Sequence, residues 1–187
     1  MSQYPTACAF RVDDYLIRPW QPGDAEALYA AVAASITGLG RWLAWCQDDY
    51  CLAESKAWIE CCLADWQDGS QYAFGIFKRG KAYVAGSVGL SKFDAAHATA
   101  NLGYWVRDDM QNRGLATRAA GRIVQWGFGL GLAHIEIVAA TGNFASRRVA
   151  EKLGAIHQGM EPDRIRLRHG ASVEGAVYSL SPLQKRS

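Results

Sequence analysis

Two short stretches of the chain hold residue types at spacings that could grip a diphosphate at one helix start and set a hydroxyl at another. The first is Gly103-Tyr104-Trp105-Val106-Arg107-Asp108-Asp109-Met110-Gln111-Asn112-Arg113-Gly114-Leu115-Ala116-Thr117, which reads as a strand passing through a polar turn into a helix. Backbone N–H groups at a helix start have no intrahelical partner and carry the positive end of the dipole, so they suit a phosphate. Gly114 removes the side chain where a phosphate would come close, and Arg113, with Arg118 and Arg122 further along, adds positive charge. The second stretch, Thr141-Gly142-Asn143-Phe144-Ala145-Ser146-Arg147-Arg148-Val149-Ala150-Glu151-Lys152-Leu153-Gly154-Ala155, again runs from a strand end into a helix. Asn143 suits the N-cap, and Ser146 places a hydroxyl on nearly the same face in the first turn. As a bare pattern each stretch also fits an ordinary helix start, so the surrounding elements carry much of the argument.

Those elements follow from periodicity and punctuation. A strand is expected over Phe10 to Arg18, and a helix over Ala25 to Ala34 with Asp24 as its N-cap. A second helix is expected over Cys51 to Gln67, with Trp58, Cys62 and Trp66 on one face and Asp68-Gly69 ending it. Gln71 to Phe77, Ala82 to Leu90 and Thr99 to Val106 are rich in β-branched and aromatic residues and read as an antiparallel meander. Then come a helix over Arg113 to Phe128, a strand over Ala133 to Ala139, a helix over Asn143 to Leu153, and strands near Ala155 to Met160 and Val173 to Ser179. The order implies a mixed α/β sheet with helices packed on it. Gly127-x-Gly129-x-Gly131 follows a helix and precedes a strand, the reverse of a dinucleotide-binding turn, so these glycines are read as a helix terminator.

With 187 residues, half of them apolar and a fifth charged, the chain is expected to fold as one domain spanning 1 to 187. Met1 to Ala9 lacks the basic and then apolar order of a signal peptide, and no apolar run approaches a membrane span, so the cytoplasm is the expected compartment and no membrane partner is expected. Cys8, Cys46, Cys51, Cys61 and Cys62 show no paired spacing, so they are read as reduced, mostly buried thiols, with neither a disulfide framework nor a metal site expected. A formal net charge of +2 is too small to imply nucleic acid. The charge is uneven: residues 1 to 94 carry 8 basic and 11 acidic side chains, and residues 95 to 187 carry 12 and 7. An anionic ligand is expected in the second half and a cationic group in the first.

Together the two stretches resemble the GNAT N-acetyltransferase superfamily, and within it the RimJ/RimL-like branch. Further matching motifs are Leu16-Ile17-Arg18-Pro19-Trp20 before Asp24, and Gly40-Arg41-Trp42-Leu43-Ala44-Trp45. The resemblance implies the acyl-CoA N-acyltransferase fold, a central, mostly antiparallel sheet flanked by helices, with acetyl-coenzyme A as cosubstrate. It implies acetylation of a primary amine, a protein N-terminal α-amine or a small-molecule amine, by direct attack on the thioester, and it allows a homodimer. The strand ending at Val106 would bulge away from its neighbour to admit the pantetheine arm, with Trp105 and Val106 beside it. Amides and side chains of Gln111, Asn112, Arg113, Gly114, Leu115, Ala116 and Thr117, with Lys152, would hold the phosphates, Asn143 the arm, and Ser146 would protonate the departing thiolate.

Many relatives carry a glutamate two residues before the Gly-Tyr pair, where this chain has Asn101, which cannot accept the proton. Glu136 is therefore the expected base, with Glu161 and His97, His134, His157 and His169 as alternatives. Asn101, Trp42 and Trp45 are expected at the amine, with Asp48 and Asp49 nearby, because aromatic faces and carboxylates favour a cation. Two other readings fit the sequence: a coenzyme A-binding sensor that has lost transfer, and a partner-binding domain using its tryptophan-rich first half.

Overall fold

The structure, a computed structural model, describes residues 8–182. The expected domain ends, and most of the Met1 to Ala9 reading, lie outside the described residues. The chain begins as a hairpin, β1 (Phe10–Val12) and β2 (Tyr15–Pro19), rather than one strand. Asp13, with φ of 50°, turns the chain there. Aspartate tolerates that conformation, and the Asp13-Asp14 pair interrupts the apolar alternation there, a turn signal that the single-strand reading passed over. Asp24 does not cap the next helix with its side chain. Its carboxylate instead accepts the Gln21 N–H at 2.8 Å and the Arg18 guanidinium at 2.7 and 2.8 Å, locking a 3-10 turn ahead of α1 (Ala25–Ala33).

A short helix, α2 (Ile36–Gly40), follows, which the sequence reading left unassigned. In α3 (Leu52–Asp68) the buried stripe is Ser55, Ile59 and Cys62, while Trp58 stays 37% exposed. Each four-residue step overshoots a helical turn by about 40°, so Trp58 and Trp66 diverge by about 80° and only Cys62 stays central. Trp66 instead joins Tyr72, Phe74 and Trp126 in a cluster of edge-on and tilted rings. Gly69, at φ 77°, ends the helix.

The meander follows as β3 (Tyr72–Lys78), β4 (Val84–Asp94) and β5 (Thr99–Val106). After it come α4 (Leu115–Gly129), β6 (His134–Ala140), α5 (Phe144–Lys152), β7 (Ile156–Arg166) and β8 (Ser172–Leu180). Gly131, at φ 95°, lies just past the end of α4, as the glycine run suggested. β7 runs beyond Met160 through the polar stretch Glu161 to Arg166, which has no apolar alternation to betray it.

The eight strands form one sheet in the order β1-β2-β3-β4-β5-β6-β8-β7, antiparallel except for β5 beside β6. Two cores sandwich it. Leu115, Ala119, Ile123 and Ala150 of α4 and α5 pack with Phe74, Leu90, Ile135 and Ile137 on one face. Leu28, Val32, Ile59 and Cys62 of α1 and α3 pack with Trp20 and Phe77 on the other. Burying each large apolar side chain contributes roughly 1.5–3 kcal/mol, and the paired layers fix the sheet that frames the site. Of the cysteines, only Cys46 and Cys62 are buried, and burial pushes both thiols up; Cys51 and Cys61 are exposed, a correction to the reading of mostly buried thiols.

Candidate active site

The sheet opens between its two parallel strands. β5 and β6 pair only over Thr99 to Asn101 against His134 to Glu136, then part, although β5 continues to Val106 and β6 to Ala140. Asn101 stands at the fork, its Nδ2 donating to the Glu136 carbonyl at 3.4 Å. Antiparallel pairing alternates sides along a strand. Arg107 donates its N–H to Ala85 of β4 at 2.9 Å, so the Val106 and Tyr104 amides face away from β4 and into the gap. By the same alternation Thr141, which donates to Glu174 at 3.1 Å, turns the Ala140 and Val138 amides to the gap from the other side. Two half-open strand edges thus face each other, as a chain bearing its own amides would require.

At the mouth of the gap lies the turn before α4. Asn112 at φ 58° and Gly114 at φ 69° curl it so that the amides from Asn112 to Thr117 converge. Among the described residues none of these amides donates to a protein acceptor; the next, Arg118 N–H, closes the first turn on the Gly114 carbonyl at 3.1 Å. A Cβ on Gly114 would meet only the movable end of the Arg118 side chain, at 2.7 Å, so it is the positive φ that calls for glycine.

Gap and turn line one cavity of about 550 Å³. Its walls include Trp105, Val106, Gln111, Asn112, Gly114, Leu115, Ala116, Thr117, Asn143, Ser146 and Lys152, together with Trp42 and Asn101. Arg113 does not line it. Nor do Arg118, which pairs with Asp13 at 2.7 Å, and Arg122, which bonds Gln125 at 3.1 Å. The cations on its walls are Arg41, Arg148 and Lys152.

Asn143 caps α5 by accepting the Ser146 N–H at 3.1 Å, and Arg147 ties the helix to the sheet through Tyr178 and the Thr141 carbonyl, both at 3.1 Å. Ser146 Oγ lies 3.2 Å from the hydroxyl of Tyr104, which also donates to the Ser146 carbonyl at 3.0 Å. Burial pushes the Tyr104 phenol up to about 12, against a smaller opposing pull from its Ser146 hydrogen bond, so it stays protonated across the working range. Tyr104 was not picked out from the sequence. Its place two residues before the end of β5, on the face that carries Leu102 and Val106 toward α5, was the available signal.

Glu136 is on neither cavity wall, and its carboxylate is held by Arg164 at 2.7 Å, which also takes Glu161 at 3.0 Å. His97 pairs with Asp94, and His134 bonds Ser181, away from the gap. Trp42 and Trp45 separate. Trp42 covers the β6–α5 turn so closely that a Cβ on Gly142 would meet its ring at 3.5 Å, whereas Trp45 lines a second cavity on the α1–α3 face. Asp48 is engaged by Arg168 at 2.6 Å, and Arg168 also donates to the Ile36 carbonyl at 3.0 Å, pinning the segment that carries both tryptophans. Among the described residues no group of acidic, cysteine or histidine side chains could hold a metal, and no helix is long and apolar enough to cross a membrane.

A family model described as an acetyltransferase (GNAT) domain matches residues 14–156. YdaF of Bacillus subtilis (strain 168), named as a candidate ribosomal N-acetyltransferase, is 28% identical over 176 residues, covering 91% of this chain and 93% of its own. A Vibrio cholerae structure described as a candidate ribosomal-protein-serine acetyltransferase is 27% identical, with a TM-score of 0.82 over 94% of this chain and 98% of that one. RimL, the ribosomal L7/L12 α-N-protein acetyltransferase solved with coenzyme A, superposes with a TM-score of 0.83 at 19% identity, over 91% of this chain and 95% of that one, and so shares the fold. The named relatives support the RimJ/RimL-like branch. The matched region takes in the strand gap, the amide turn and Ser146 alike, and the chain belongs to the GNAT acetyltransferase family.

Proposed function

We propose that the protein moves the acetyl group of acetyl-coenzyme A directly to a primary amine, either a protein N-terminal α-amine or a small-molecule amine. The observation that carries this reading is the run of uncommitted amides from Asn112 to Thr117 opening onto the β5–β6 gap. The residues present fit the cosubstrate: a cradle of N–H donors and Lys152 for phosphates, strand edges for the arm, and Asn143 beside it. Acetyl-coenzyme A supplies a thioester, whose carbonyl carbon accepts the amine.

The Val106 N–H, turned into the gap, is placed to meet negative charge developing on the carbonyl oxygen. As the amine nitrogen bonds to carbon and the C–S bond breaks, the Ser146 hydroxyl gives its proton to the sulfur. It regains one, through water, from the nitrogen as that becomes an amide, while the Tyr104 hydroxyl, 3.2 Å away, holds the serine oxygen in place. The acceptor must arrive neutral, and an α-amino group with pKa near 8 is partly so at pH 7. With Asn101 unable to take a proton and Glu136 held by Arg164, the reading gives deprotonation to an ordered water rather than to Glu136. The relatives named for ribosomal proteins favour a protein N-terminus, and a cytoplasmic setting goes with that reading. Acetyl-dependent thiol release with a panel of amines tests it. Thermal stabilisation by coenzyme A without release would leave a binding domain in place of an enzyme.

A further inference from the structure

The second cavity, about 460 Å³, lies on the α1–α3 face of the sheet and falls in the size range of small-molecule sites. Its walls carry five rings, Trp45, Tyr50, Trp58, Tyr104 and Trp105, among aliphatic side chains such as Leu28, Leu43 and Leu90. Trp45 stands 5.9 Å from Tyr50 and 6.3 Å from Trp105, both tilted. Trp45 and Trp58, at 43% and 37% exposure, leave a large apolar surface facing this space instead of a core, which marks a binding surface. Among the described residues the only charged side chain on the walls is Glu54. One of its oxygens accepts the Cys51 N–H at 2.7 Å, and the other has no protein donor among the described residues. Among the described residues no cation lines the cavity, so its walls offer an anionic ligand no partner of opposite charge.

Four residues, Leu43, Gly103, Tyr104 and Trp105, line both this cavity and the one holding the amide cradle. Gly103 is exposed, and a Cβ built on it meets nothing within 4 Å, so nothing crowds the strand at this shared point. We propose that this second cavity seats the acceptor and selects a primary amine borne on a flat apolar ring, with Glu54 drawing the ammonium group in before it passes Gly103. The proposal rests on the acetyl-transfer reading above and narrows its acceptor. A hydrophilic peptide would have to strip water from its own amides against rings, with few polar groups to replace it: Ser87, for one, already spends its hydroxyl on the Phe74 carbonyl at 2.9 Å. A ring stacked among tilted aromatic faces avoids that cost.

Calorimetry of the full-length protein with coenzyme A bound, using 2-phenylethylamine, butylamine and a serine-first tetrapeptide, reads the preference without needing turnover. Kinetics with acetyl-coenzyme A reads it again. The phenyl amine should bind about tenfold tighter than butylamine, an advantage of the size that aromatic contacts supply. Trp58→Ala should erase that difference, Trp58→Phe should keep most of it, and coenzyme A affinity should stay unchanged in both. Equal binding of the two amines, a preference for the peptide, or an indifferent Trp58→Ala would overturn the proposal. Ring-selective binding without acetyl transfer would uphold it while sinking the transfer reading; transfer to the peptide without ring preference would do the reverse.

Discussion

The two cavities that meet at Tyr104 are built by opposite means. On the α4–α5 side the working surface is largely backbone: amides at a turn held by two positive φ values, and strand edges left open where β5 and β6 part. Side chains there mostly step aside, as at Gly114. On the α1–α3 side the surface is largely side chain, with five rings and one carboxylate carried by α3, β5 and the segment between α2 and α3. The backbone site suits a ligand with phosphates and an amide-bearing arm, and a sequence that keeps the turn and the fork keeps its donors. The side-chain site can be remade by single substitutions, so specificity can change there without touching cofactor chemistry.

Substitutions at the reaction centre should break this division most severely. Ser146→Ala should lower kcat on the order of 100-fold, the range of a lost proton donor, while acetyl-coenzyme A affinity stays nearly intact. An unchanged rate would remove Ser146 from the chemistry. Gly114→Val should act on the other quantity. Strain at φ 69° should weaken coenzyme A binding about 20-fold by calorimetry, with the amine preference untouched.

Tyr104→Phe should cost about tenfold in kcat, since it takes one neutral hydrogen bond from the Ser146 oxygen. Because burial raises the Tyr104 phenol from 10.0 to about 12, the rate should climb as the amine loses its proton near pH 8 and show no fall near pH 10 from this tyrosine. The stability sign follows from the same shift. Its contribution is complete below pH 10 and fades as pH rises toward 12, so a thermal melt of the parent protein should lose ground to Tyr104→Phe across that window. The smallest effect expected is that of Glu136→Gln, less than about twofold in kcat/KM, because an exposed pair with Arg164 contributes little. A pH profile that loses its lower limb in this variant would restore Glu136 as the base.

The same division explains what the sequence made legible. The fork and the cradle depend on backbone geometry at marked residues: the strand ending at Val106, Gly114 and the Asn143 cap all stand where periodicity and punctuation put them. The acceptor side depends on which rings turn inward, and that is decided by tertiary packing. Trp42 and Trp45, three residues apart, face different cavities because the chain after α2 turns between them, Cys46 N–H returning to the Leu43 carbonyl at 3.0 Å, and Arg168, far along the chain, pins this segment. Trp58 was visible as a helix residue, but its face was misjudged by the drift of the four-residue step. Glu136 looked available because a strand pattern gives its face and not its partner, and Arg164 belongs to a part of β7 that showed no strand signal.

The claim beneath all of this is that backbone amides, more than side chains, take hold of the donor. Backbone amide NMR during titration with coenzyme A reads it directly. The account predicts the largest shifts at Asn112 to Thr117, followed by Tyr104, Val106, Val138 and Ala140 across the gap. Saturable binding that leaves those resonances still, while others move, would contradict it.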